Sequence, residues 1–224
     1  MTEEYNAVLQ TGLFDTIIFG YDEWFNNQTL RITTVPKEKV SAVYRGWMMK
    51  PEQYAAFYNS LLERNIELVT TPEMYSQMHI FPNIYPEIWQ DTAKIMTFPL
   101  HSRTCVEDIK HFFSRFMVKD YVKSVKGTEF PAFFDREVTQ EEFDRWMDVF
   151  YKYRADLLTG GICIKEYLNL KRYAGKTNEF RVFYVNHEII SICRNSLQEG
   201  FTADMPKALP EKYDCHVKNS LPRE

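Results

Sequence analysis

Phe116-Met-Val-Lys-Asp-Tyr-Val-Lys123 is the stretch on which the fold turns. Read as a β-strand, it places Lys119, Tyr121 and Lys123 on one face and Val118, Asp120 and Val122 on the other. An unpaired ammonium is costly inside a core. Either that face is bathed by solvent, or its lysines line a cleft where an anion neutralises them.

The flanking segments read as helices and further strands. Upstream, Thr104-x-x-Glu107 has the form of a capping box, opening a helix with Val106, Ile109, Phe112, Phe113 and Phe116 on its apolar face. Downstream, Thr139-x-x-Glu142 is a second box. The helix behind it carries Phe143, Trp146, Met147, Phe150, Tyr153 and Leu157 as one stripe, with Gly160-Gly161 as its stop. Ile162–Leu168 is a strand that turns abruptly charged at Lys165 and Glu166, followed by an irregular link, Asn169 to Thr177. Asn178–Val185 is the next strand, and a turn at Asn186-His187 joins it to Glu188–Cys193 as a hairpin. Glu179 and Arg181 share one face of that strand, a pattern that also suits an ordinary surface ion pair.

The first half alternates differently. A helix over Glu3–Gln10 precedes a short buried strand, Thr16–Phe19. Val40–Tyr44 is a second strand and leads into Arg45-Gly46-Trp47. Pro51 opens a helix with Tyr54, Phe57, Tyr58, Leu61 and Leu62 on one side, and Asn65 stops it before a third strand, Ile66–Val69. Strand, helix, strand in this order is the grammar of a parallel sheet. Pro72 to Pro99, rich in proline and aromatics, reads as short helical turns and loops. A boundary is expected near Pro99–Thr104, dividing a parallel α/β domain (1–100) from an α+β domain with antiparallel strands (101–224).

Composition narrows the function. A net charge of −4 offers no global field for nucleic acid, and no apolar run approaches a membrane span. The N-terminus is acidic where a secretory signal would be basic, so a cytoplasmic globular chain is expected. Cys105, Cys163, Cys193 and Cys215 are too scattered for a zinc site or a disulfide framework, and the histidines also lack metal spacing.

In order, these segments resemble the ATP-grasp superfamily. The strand ending Met117-Val-Lys119, the link Lys165-Glu-Tyr-Leu168 and the pair Glu179-Phe180 follow the superfamily's nucleotide-site order. Tyr44-Arg-Gly-Trp-Met-Met-Lys-Pro-Glu-Gln-Tyr54, Thr71-Pro-Glu-Met-Tyr75 and Val118-Lys-Asp-Tyr-Val-Lys-Ser124 are similar to a clade of bacterial and phage members. The resemblance runs from about Glu4 to Tyr213 and implies an ATP-grasp-like fold, α/β then α+β. It implies ATP as ligand, with Lys119 on the phosphates and Lys123, about 13 Å further along an extended strand, on another part of ligand or substrate. Lys165, Glu166, Tyr167 and Leu168 would line the adenine pocket, and Glu179 would take the ribose hydroxyls. Arg181 would clamp a phosphate or acyl phosphate. Arg45 would face the cleft from the first half, although Arg45-Gly-Trp47 equally suits a packed turn with a cation–π contact.

The implied reaction is ATP-dependent ligation of a carboxylate to an amine through an acyl phosphate, with Mg2+ on the phosphates. Magnesium ligands should stand on a late strand. After Cys193 the acids are Glu199, Asp204, Glu211, Asp214 and Glu224, none within an apolar strand, so the chain is expected to be short at that end and at its start. The alternative is an ATP-grasp-like interaction module without metal ligands. A covalent nucleotidyltransferase is a weaker rival, because Lys123-Ser-Val-Lys-Gly127 lacks the Asp of Lys-x-Asp-Gly. Gly127, the single glycine in the segment where a phosphate-covering loop would fall, reads as an ordinary turn residue.

Overall fold

A computed structural model describes residues 2–170, 172–173, 176–177, 179–185 and 188–194. The chain divides into two compact units between His79 and Ile80, about twenty residues before the expected boundary. The reason is pairing: residues 95–98, read from sequence as part of a loop, form a strand of the second unit's sheet.

In the first unit, α1 (Thr2–Thr11) and α2 (Tyr21–Asn27) precede β1 (Val40–Ala42), α3 (Pro51–Leu62), β2 (Ile66–Leu68) and α4 (Pro72–His79). The expected parallel pair is present, with Val40 opposite Ile66 and Ala42 opposite Leu68. Pro51 opens α3, where its missing N–H is no loss. Asn65, at φ +61°, turns the chain from α3 into β2 while its Nδ2 donates to the Pro36 carbonyl. Trp24, Met49, Tyr54, Phe57, Leu61, Ile66 and Leu68 form the core. The Tyr54 and Tyr75 rings stack at 3.9 Å, and Tyr75 Oη both accepts from the Met49 N–H and donates to its carbonyl.

Thr16–Phe19 is not a buried strand. Only Phe19 forms a bridge, to Ile32, and Ile18 points outward at 51% exposure. The chain enters α2 two residues later, so no ladder can extend.

In the second unit, α5 (Phe81–Ile88) precedes β3 (Ile95–Phe98), α6 (Val106–Phe112), β4 (Arg115–Asp120), β5 (Phe134–Asp135), α7 (Gln140–Arg154) and β6 (Ile162–Glu166). Four strands pair antiparallel in the order β3–β6–β4–β5. Two separate hairpins follow, β7 (Arg172–Tyr173) with β8 (Lys176–Thr177), and β9 (Phe180–Val185) with β10 (Glu188–Arg194). The first falls inside the link read as irregular. The turn expected at Asn186-His187, and Glu199, Asp204, Glu211, Asp214 and Glu224, lie outside the described residues. The mixed class, a parallel α/β pair followed by an antiparallel α+β unit, is the one expected.

Val106, Ile109 and Phe113 join Phe143, Met147 and Phe150 over Phe116, Val118, Ile162 and Ile164. Phe112 points away, 66% exposed. The second capping box is partly as read, since Thr139 Oγ1 accepts from the Glu142 N–H. The first is not. Cys105 occupies the cap of α6, and Gln140 reaches across from α7, its Oε1 accepting from the Val106 N–H and its Nε2 donating to the Thr104 carbonyl, both at 2.9 Å. α7 ends at Arg154 rather than at the glycine pair, and Leu157 is exposed.

Candidate functional site

The register of β4 against β6 builds the site. Met117 faces Lys165 and Lys119 faces Cys163, so both lysines occupy one surface of the sheet. Phe116, Val118, Asp120, Ile162 and Ile164 occupy the other and pack into the helical core. The two alternatives posed by the alternation are thus decided against a simple solvated face, because Lys119 and Lys165 are both half-buried.

α5 supplies the cover. The Phe81 N–H donates to the Tyr121 carbonyl at 2.9 Å, which holds the start of the helix against the end of β4. The Phe81 ring centroid lies 4.9 Å from Lys119 Nζ and 4.4 Å from Lys165 Nζ. Lys165 Nζ also approaches Thr92 Oγ1 at 3.4 Å. Burial pushes the pKa of both lysines down, and the Lys119 charge pushes Lys165 further. Between them Cys163 is buried, its thiol pushed up to about 11 by that burial and therefore neutral near pH 7. Such a surface can bind a polyanion: two donors, little water and no intervening negative charge from the thiol.

Lys123 does not share the strand with Lys119. β4 ends at Asp120, whose Oδ1 accepts from the N–H groups of Val122 and Lys123, while its own N–H donates to the Lys123 carbonyl. This turn replaces the extended run that would have set Lys123 further along the same face. Gly127, at φ +73°, has open space around its Cα, as befits a turn residue.

The link after β6 is anchored differently from Lys165. Glu166 exchanges backbone and side-chain bonds with Lys94: its N–H donates to the Lys94 carbonyl, and its Oε2 accepts from the Lys94 N–H. The Tyr167 N–H donates to the Arg115 carbonyl at 2.9 Å. The Arg115 guanidinium lies 3.3 Å from the Phe133 ring centre and 4.6 Å from that of Tyr167. Leu168 is exposed, and its carbonyl accepts from Leu170. Glu179, exposed just before β9, accepts from the Thr177 hydroxyl. Arg181 is exposed on β9 opposite Cys193, in a sheet separate from that of the two lysines. In the first unit, Arg45 is paired with Glu4 at 2.5 Å, while Tyr44 Oη donates to the Trp47 carbonyl and packs the turn.

Sequence reasoning missed Phe81, Arg115 and the role of Asp120. No local pattern marks the first two, because each acts on residues distant in the chain. Among the described residues, no three His, Cys, Asp or Glu side chains gather to hold a metal. Among them too, no helix is long and apolar enough to cross a membrane.

Residues 108–214 match the model of an ATP-grasp domain family, the third family of its clade. No curated protein matches the chain. Among solved structures it is similar to the D-alanine–D-alanine ligase of Helicobacter pylori, at 14% identity and a TM-score of 0.49, covering 97% of this chain and 65% of that one. It is also similar to the Bacillus anthracis D-alanine–D-alanine ligase complexed with ATP, at 9% and 0.45, covering 73% and 53%. A third is the ATP-grasp ligase PsnB complexed with a minimal precursor variant, Mg and ADP, at 11% and 0.43, covering 75% and 49%. The chain thus spans about half to two thirds of the length of these structures. Over residues 108–214, this chain belongs to the ATP-grasp superfamily.

Proposed function

We propose that the chain binds ATP with its triphosphate against Lys119 and Lys165. The observation that carries this is the convergence of two half-buried ammonium groups on one sheet face. A polyanion returns to them the favourable charge environment that burial removes. Lys165 then acts on the phosphate side, leaving Glu166, Tyr167 and Leu168 as the link beside the base. Glu179 takes the ribose hydroxyls, Lys123 meets another part of the ligand, and Arg181 and Arg45 remain the candidate clamps for phosphate and substrate.

The reaction proposed is ATP-dependent joining of a carboxylate to an amine. A carboxylate oxygen attacks the γ-phosphorus, the bond to the β–γ bridging oxygen breaks, and ADP leaves. The amine nitrogen then attacks the acyl carbon, inorganic phosphate leaves, and the nitrogen gives up a proton. Catalysis of this kind rests on positioning and on charge stabilisation. The superfamily implies magnesium. The described residues offer no acidic cluster that fits it, so no step is assigned to the metal here.

Thermal unfolding of the full chain over an ATP titration tests the binding. Ligand at a hundredfold excess over Kd should stabilise the fold by about 2.7 kcal/mol. Lys119→Ala should abolish the shift, and Glu179→Ala should weaken ATP while sparing inorganic tripolyphosphate. No shift at millimolar ATP, or an equal shift in Lys119→Ala, would sink the reading. Binding without ADP release across carboxylate and amine panels would instead mark a non-catalytic module.

A further inference from the structure

Phe81 stands at the first position of α5, and its placement is fixed from three directions. Its N–H is bonded to the Tyr121 carbonyl, Ile80 and Ile84 on either side of it are buried, and the Tyr85 ring meets it edge-on at 6.0 Å. Its ring lies within 5 Å of two ammonium nitrogens from different strands. Two like charges brought together repel, and a purely aliphatic cover would do nothing to offset that. An aromatic ring does, because its quadrupole attracts a cation over its face.

We propose that Phe81 is a positioning residue, an aromatic anchor that gathers the ammonium groups of Lys119 and Lys165 into one clamp before any anion arrives. The role rests on the reading of those lysines as the triphosphate contact. The ring does not touch the anion; it sets the spacing of the two donors that do, so less ordering is left for the binding event. The preference is for a polyphosphate, whose adjacent charges two fixed ammonium groups meet together, over a single phosphate.

A role in packing alone makes a different demand. Leucine fills much of the same space but has no quadrupole, whereas tyrosine keeps both ring and quadrupole. The experiment uses the full chain with 13C-labelled lysine, the two signals being assigned through Lys119→Arg and Lys165→Arg. In the wild type, the Hε protons of both lysines should be moved upfield by the ring current, and Phe81→Leu should return them to ordinary positions. Calorimetry with inorganic tripolyphosphate should show Phe81→Leu weaker by roughly three- to tenfold and Phe81→Tyr within about twofold of wild type. Melting temperatures verify that each variant is folded.

Unshifted lysine signals in the wild type overturn the proposal whatever binds, and that measurement needs no variant. A folded Phe81→Leu protein with wild-type tripolyphosphate affinity also overturns it. Ring-shifted lysines in a protein that binds neither tripolyphosphate nor ATP would leave the aromatic anchor standing and overturn the nucleotide reading instead.

Discussion

Arg154 and Asp120 meet at a single oxygen. Arg154 Nε and Nη2 both donate to Asp120 Oδ2, at 2.9 and 2.6 Å, with both residues buried. The Thr159 N–H donates to the same oxygen, and Arg154 Nη2 also donates to the Leu157 carbonyl. Together with the two N–H groups on Oδ1, this ties the end of β4 to the end of α7 within one residue of Lys119. Breaking such a pair strands a buried charge. Arg154→Ala should destabilise the second unit by about 3–5 kcal/mol, read from urea unfolding. A loss under about 1 kcal/mol would show that water replaces the guanidinium.

Gln140 does the capping that the Thr104-x-x-Glu107 pattern predicted for α6. Gln140→Ala should lower the unfolding free energy by about 1–2 kcal/mol, since it removes two bonds to otherwise unserved backbone groups. Glu107 instead pairs with Lys110 at the surface, so Glu107→Gln should stay within about 0.5 kcal/mol of wild type. The reverse ranking in denaturant titrations would restore the box.

Gly160 and Gly127 both have positive φ, at +70° and +73°, but only Gly160 lies against a ring. A Cβ there would collide with Tyr121, whereas one at Gly127 meets open space. Gly127→Ala should therefore lose only the conformational term, about 1 kcal/mol, and Gly160→Ala clearly more. Equal melting temperatures for the two variants would exclude a steric role for Tyr121.

Polyanion binding should take up protons at alkaline pH. The pKa values of Lys119 and Lys165 lie below the ordinary 10.5 in the free protein, and a bound anion favours the charged forms. Above the lowered values the free lysines have begun to lose protons, which binding must restore, so affinity falls as pH rises. Calorimetry of tripolyphosphate in buffers of unlike ionisation enthalpy reads the uptake directly. Zero uptake across the alkaline range would mean that neither lysine meets the anion.

The same sign governs stability. A folded state that depresses a lysine pKa is penalised while the group is charged, and the penalty fades as pH rises toward 10.5. Lys165→Met, which removes that charge, should raise the unfolding free energy at neutral pH by about 0.5–1 kcal/mol while abolishing tripolyphosphate binding. A destabilised Lys165→Met protein would indicate that the ring contact outweighs desolvation.

Much of this architecture was legible in the chain. The parallel pair around α3 followed from two β-branched runs flanking a helix opened by Pro51, and the α7 stripe followed from Phe143, Met147 and Phe150. What failed did so for non-local reasons. Ile95–Phe98 is too short to announce itself among prolines and became a strand only by pairing with Ile162–Lys165. Val122 and Lys123 continued the alternation on paper, yet the Asp120 carboxylate captured their N–H groups and ended the strand.

Alternation within 116–120 by itself determined that Lys119 lies opposite Val118 and Asp120, because a strand sends successive side chains to opposite faces. Only the tertiary structure decided that Lys119 is joined by Lys165 rather than by Lys123, and that Phe81 covers both. Period two is a property of one strand. Register between strands, and the helix laid across them, belong to the packing of the whole unit.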